Sequence, residues 1–357
     1  LRFEKGVIMF FKRANADVWI PYGLRRVPAT ALAELLPCPE THQPGDIALA
    51  VVEKIGKNTR LELAAGRVAM LHEGDHLAVV FGNRYATEQF EGYARSDGDR
   101  CDMLSMGGLC GLVASRHASV PEPTRLRLLG SLANAHGQRL RLRDFALPSK
   151  PSSGKPNIVL VCGSSMDSGK TYTAMSLIMG LRRTGQGVAA IKLTGTAAGR
   201  DTWSYLDAGA RPSLDFVDGG HPSTYMCTNK EILALFSLLL EHASEPGVEW
   251  IVVEIADGLL QRETAALLRS APFAARLHAC VFAAESPLAA LCGVRMLRTW
   301  GLDPIAISGR VSMSSLGARE ASSASAVECL TAKDLQLGIL NDRLARNPVP
   351  VPMPIVG

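Results

Sequence analysis

The segment Gly163-Ser-Ser-Met-Asp-Ser-Gly-Lys-Thr171 constrains this chain more than any other feature. A six-residue apolar run, 157–162, precedes it, and an apolar helical pattern, 172–183, follows it. Strand, glycine-containing loop and helix in that order make a turn whose successive backbone N–H groups converge on phosphate oxygens. In such a loop Lys170 reaches toward the β and γ oxygens, and the Thr171 hydroxyl coordinates magnesium. The expected nucleotide contacts are therefore Gly163, Ser164, Ser165, Asp167, Ser168, Gly169, Lys170, Thr171 and Tyr172. A serine-glycine turn beside a surface lysine is the plain alternative, and the flanking strand and helix weigh against it.

The rest of the second half repeats this alternation. Short apolar runs at 188–193, 250–255, 277–284 and 304–308 have the composition of strands covered on both faces. Helical patterns at 230–242 and 288–300 lie between them. The expected fold is α/β: a mostly parallel sheet with helices on both faces, whose ligands sit beyond the carboxyl ends of the strands. The first half differs. Its β-favouring runs at 47–52, 59–63 and 76–81 are separated by turns around Gly56 and Gly74, as in a small antiparallel sheet or barrel. One helix is expected there, at 31–36, capped by Thr30. The Pro-, Ser- and Gly-rich stretch 147–156 reads as a linker. The expected domains are thus a smaller β-rich unit at 1–146, the linker at 147–156 and a nucleotide-binding unit at 157–357. Alternating prolines after Asn347 predict an extended tail.

Five residues separate Gly163 from Gly169, one more than in the commonest phosphate loop. In this longer form the segment resembles dethiobiotin synthetase, whose loop runs G-T-D-T-(D/E)-x-G-K-T; Gly163, Asp167, Gly169, Lys170 and Thr171 match in register. Two further stretches are similar. That family carries K-P-V-x-(S/T)-G after its second strand, and Lys192 and Thr196 stand in the corresponding positions here. It carries V-V-E-G-A-G-G after its third, matched by Val252-Val-Glu-Ile-Ala-Asp-Gly258. The resemblance implies a catalytic role for Lys170, Lys192 and Glu254, and a magnesium ion held by Thr171, Asp201 and Glu254. Asp207 and Asp215 compete with Asp201 for that role; Glu254 could instead cap the following helix, and Lys192 could be a strand-end lysine reaching solvent. Ile255 and Asp257 replace glycines, giving the pocket another shape and charge. The proteins of the DUF1611 type and the cobyrinate and MinD-like NTPases share the broad fold, so the likeness is to that superfamily and covers the C-terminal half only.

A polar stretch, 214–225, falls where a substrate loop would lie, making Asp218, His221 and Tyr225 candidate substrate contacts along with Thr196 and Asp257. A connecting loop explains it equally simply. Segments 81–86 and 106–111 are turns of the β-rich unit or a second ligand surface. The eight cysteines form no C-x-x-C pair, which argues against zinc and for a reducing compartment; Cys110 and Cys162 read as buried small hydrophobes. Net charge is +4 with basic residues scattered, so no nucleic-acid partner is expected, and no apolar run is long enough for a membrane helix. Residues 1–11 lack a small-residue cleavage site, so no signal peptide is expected; a first residue of Leu points to missing leading residues or an unusual start codon. The cytoplasm and a homodimer are the expected setting.

ATP and Mg2+ are the expected cofactors; no guanine-reading Asn/Thr-Lys-x-Asp follows a strand. The leading functional expectation is a synthetase or ligase that phosphorylates a carboxylate or carbamate of a small metabolite. A switch ATPase of the MinD or metallochaperone kind is the second reading, weakened because Ser164 and Ser165 stand where that type carries an extra lysine. The third is an N-acyltransferase holding coenzyme A in the phosphate loop.

Overall fold

The computed structural model describes residues 8–12 and 16–346, so the expectations for residues 1–7 and for the tail after 346 fall outside it. The chain divides into two compact units. The first comprises Leu1–Pro148 with two later segments, Thr196–Arg200 and Phe216–Met226; the second holds Ser149–Gly195, Asp201–Asp215 and Cys227–Gly357. No regular element occurs from 147 to 156.

The first unit contains β1 (Ile8–Phe11), β2 (Ala16–Trp19), β3 (Glu34–Leu36), β4 (Ile47–Lys54), β5 (Arg60–Glu62) and β6 (Val68–Met70). These are followed by β7 (His76–Phe81), β8 (Phe90–Tyr93), β9 (Arg100–Met103), β10 (Leu109–Arg116) and β11 (Thr124–Ala133). Five of them close into a ring. β7 pairs with β4, β4 with β11, β11 with β9, β9 with β10, and β10 returns in parallel to β7. Around the ring each of these strands is paired on both sides, and alternate side chains point inward. Ala48, Ala50, Val52, Leu77, Val79, Phe81, Met103 and Leu126 belong to the resulting core. The helix expected at 31–36 is not there. Residues 34–36 form β3 on β11, and only Ala29–Ala31 make a short 3-10 turn. Pairing with an exposed strand edge outweighs the weak helix propensity of a six-residue segment.

The second unit holds β12 (Asn157–Gly163), β13 (Val188–Lys192), β14 (Ser213–Asp215), β15 (Trp250–Glu254), β16 (Ala279–Ala283) and β17 (Ala306–Ser308). They form one sheet in the order β14-β13-β15-β12-β16-β17, parallel throughout. The α/β fold class read from the sequence is therefore the observed one. Its main helices are α1 (Lys170–Arg183), α2 (Arg200–Asp207), α3 (Asn229–Ala243), α4 (Arg262–Leu268), α5 (Ala271–Ala274) and α6 (Pro287–Thr299). The last three are α7 (Ser315–Ser325), α8 (Ala332–Gln336) and α9 (Asn341–Arg346). Ala174, Leu177, Ile178 and Leu181 recur at helical spacing along α1 and bury against Val159, Val161, Val188, Ala190 and Val252. Residues of β12 that alternate with these face the opposite side, where Gly293 of α6 lies against the ring of Phe282. The connection after β12 runs to β13 on one side and that after β15 to β16 on the other, so strand order reverses at this adjacent pair. Ligands of open α/β sheets settle at such a reversal.

Candidate functional site

Helix α1 starts unlike its neighbours. Helices α3, α4, α6, α7 and α8 each begin on a side chain that accepts a hydrogen bond from their first turn. Helix α1 begins on Gly169, with no side-chain cap and no acidic residue in its first turn. Its leading N–H groups are thus not taken by a cap, and the helix dipole adds positive potential at that end. Gly169 has φ of 98°, a left-handed conformation that costs glycine nothing. Asp167 shares it at φ 60°, as does Asp257 at φ 61°; each such non-glycine residue costs about 1–2 kcal/mol and draws notice to its surroundings.

Several chain segments press on the loop. The carbonyl of Ser168 accepts from Arg310 N at 3.0 Å. A Cβ on Gly258 would lie 2.2 Å from the Ser164 carbonyl, so only glycine fits there. Hydroxyls of Ser164 and Ser165 reach Glu285 beyond the end of β16. The Ser168 hydroxyl is fully buried with no hydrogen-bond partner. Tyr172 is exposed on the first turn of α1.

Lys170 is buried and donates to Ser165 O at 2.6 Å. Burial pulls its pKa below the ordinary lysine value, while the nearby Glu254 charge works the other way. Around Thr171 four elements bring their polar groups together. Its Oγ1 lies 3.1 Å from Asp201 Oδ1 and 3.2 Å from Glu254 Oε1. Lys192 and Glu254 stand directly opposite each other in the β13–β15 register and form an ion pair. The Lys192 ammonium also lies 2.7 Å from Asp201 Oδ2. Burial opposes the Lys192 charge, but Asp201 and Glu254 overcome it and lift the pKa above its usual value.

This geometry separates the carboxylates that the sequence left in competition. Asp201, in the first turn of α2, joins the cluster. Asp215 instead accepts from Thr202 at 3.3 Å. Glu254 sits at the end of β15 with its side chain 1% exposed, bonded to Thr171, Lys192 and Tyr205 rather than to a following helix. Asp257 is half-buried, and its charge acts on Lys170. Thr194 accepts from Ala256 N at 2.7 Å and so holds the stretch between Glu254 and Asp257.

The other substrate candidates belong to the first unit. Thr196 bridges to Ser223. Asp218 pairs with Arg25 at 2.6 Å and with Arg26 at 3.6 Å, a local reason for an acid at that position. The backbone N–H of His221 donates to Phe216 O at 3.0 Å. The Tyr225 hydroxyl donates to Glu91 at 3.0 Å. Cys110 and Cys162 are buried, and burial pushes the Cys110 thiol well up, which leaves it unreactive.

Sequence reasoning missed Tyr205, whose hydroxyl donates to Glu254 Oε2. The available signal was its spacing, four residues after Asp201 on the same helix face. Glu285 was missed too, because nothing in the sequence ties residues after β16 to the phosphate loop.

No group of three His, Cys, Asp or Glu able to hold a metal occurs among the described residues. The donors near Thr171 are one hydroxyl and two carboxylates. That set fits magnesium, which takes one or two carboxylates and fills its shell with water and phosphate oxygens.

No protein-family model matches the chain, and no curated protein does. Among solved structures it is similar to the signal recognition particle 54 kDa protein of Aeropyrum pernix K1, crystallised in complex with GDP. Identity is 17% over 54% of this chain and 49% of that one, with a TM-score of 0.36. It is also similar to a DUF1611 family protein of Anabaena variabilis, at 14% identity over 59% of this chain and 65% of that one, with a TM-score of 0.39. The chain thus spans about half of the first protein and just under two thirds of the second. Among the described residues no helix is long and apolar enough to cross a membrane.

Proposed function

We propose that the second unit binds a magnesium nucleoside triphosphate, ATP by preference, in the loop Gly163–Thr171. The observation that carries this reading is the convergence of Thr171, Lys192, Asp201 and Glu254 beside the uncapped start of α1. The loop's N–H groups and Lys170 bind the phosphates, and Lys170 gives up its contact with the Ser165 carbonyl to do so. Thr171, Asp201 and Glu254 hold the magnesium. When bound, the ion neutralises phosphate charge and polarises the transferring group. Lys192 keeps the two carboxylates in place and adds positive charge in a site sheltered from water.

Phosphoryl transfer to a carboxylate or carbamate of a small metabolite, as in a synthetase, uses these parts by positioning and electrostatics. Asp257, whose charge acts on Lys170, is the candidate within the second unit for contact with that metabolite. Rapid-quench assays with candidate acids test this reading: a burst of acyl phosphate supports it, and slow hydrolysis indifferent to every acid counts against it. One observation favours the alternative, a switch ATPase. Lys192 is tied to both carboxylates, so its presence is already explained by charge balance and does not demand transfer to a metabolite. Nucleotide-dependent dimerisation in light scattering, without substrate-stimulated turnover, would favour the switch.

A further inference from the structure

Glu254 divides its two oxygens between different partners. Oε1 meets Thr171 and Lys192, whereas Oε2 accepts from the Tyr205 hydroxyl. Tyr205 is 1% exposed, and its ring packs in the core shared by α1 and the sheet. Its helix α2 also carries Asp201, one turn earlier, so one rigid element sets both the second carboxylate and the group that grips the first.

The geometry points to Tyr205 as a positioning residue that fixes the orientation in which the Glu254 carboxylate is presented to a bound divalent cation, an inference that rests on the proposed magnesium-nucleotide site. A carboxylate at a strand end can rotate about its last bond, and a partial turn would swing its oxygens away from the cation position. The Tyr205 hydroxyl removes that freedom by engaging Oε2 from the side of α2. Oε1 then stays on the side of Thr171 and Asp201, whose oxygens lie within hydrogen-bond distance of each other. Partners that orient a ligating side chain in this way control metal affinity without touching the metal.

Tyr205→Phe removes one oxygen and keeps the ring that fills the core. Mn2+ serves as the probe, its affinity read by electron paramagnetic resonance on the full chain saturated with a non-hydrolysable ATP analogue. The expected result is a loss of Mn2+ affinity of about 10- to 100-fold, with analogue affinity measured without metal unchanged. Placing p-aminophenylalanine at position 205 restores a donor on the same ring and is expected to recover most of the affinity. A purely structural hydroxyl would lower the melting temperature and leave Mn2+ affinity as in the wild type. That outcome in the folded Phe variant overturns the inference. A wild-type chain that binds no Mn2+-nucleotide at all would instead overturn the parent reading.

Discussion

The two units handle the edges of a β-sheet in opposite ways, and the contrast accounts for where polar chemistry collects. In the first, β10 returns to β7 and closes a ring, so the inward side chains of five strands are used up in a common core. In the second, six parallel strands remain open, and their carboxyl ends carry Gly163, Lys192 and Glu254 side by side. Parallel strands all end on one side, so the residues that leave them converge there without having to fill the interior. A closed ring gains stability from its strands; an open parallel sheet also gains a place for a ligand.

The sharpest way to break this comparison is to damage each core and watch the other unit. Phe81 is fully buried in the ring, and Phe81→Ala is expected to cost about 4 kcal/mol. In chemical denaturation followed by hydrogen exchange, the loss should fall on the first unit, with nucleotide affinity preserved. Glu254→Gln probes the other side. It removes one of two charges that hold the buried Lys192 ammonium, a change expected to cost about 3 kcal/mol. Exchange protection of β13 and β15 should fall and Mg2+ dependence of nucleotide binding should weaken, while the ring stays protected.

These regions also differed in how far their sequences could be read. Strands such as Val188–Lys192 and Trp250–Glu254 are continuous apolar runs, because both faces of a parallel sheet are covered, and their ends fall within a residue or two of expectation. Lys192, Asp201 and Glu254 came from the resemblance to a family's motifs, and the sheet register brings the first and last opposite each other. Tyr205 lay hidden because Arg200–Asp207 is a polar helix of only two turns, too short for its period to stand out in the sequence. The ring was legible only as a set of short strands. Which of them pair depends on contacts far apart in sequence, such as β10 with β7, and residues 34–36 became a strand only because β11 offered a partner. Asp218 shows the same limit: its polar stretch suggested a ligand loop, and Arg25, 193 positions away, gives it a structural partner.

Two smaller effects sharpen the contrast. Gly258→Ala places a methyl group against the Ser164 carbonyl. Such overpacking is expected to cost about 1–3 kcal/mol of fold stability, read as a lower melting temperature, and displacing the Ser164 carbonyl should also weaken nucleotide binding in calorimetry. His42, in the first unit, stacks on Phe81 at a centroid distance of 3.7 Å, and neither ring nitrogen has a hydrogen-bond partner. Burial lowers its pKa below the ordinary 6.5. The unfolded chain therefore binds the proton first, so stability is fully present above pH 6.5 and declines as pH falls toward the depressed native value. Melting of the first unit should drop by about 2–4 °C per kcal/mol lost on acidification. His42→Phe should flatten that dependence, and an unchanged acid slope in the variant would remove His42 from the explanation.

Isothermal titration calorimetry with Mg2+ and a non-hydrolysable ATP analogue, on the full chain and its Lys170→Ala variant, tests the phosphate site most directly. The wild type should bind one analogue per chain, and the variant, folded to the same melting temperature, should bind about 100-fold more weakly, a loss of roughly 2.7 kcal/mol. Equal affinity in the two proteins, or no binding by the wild type, would contradict the account.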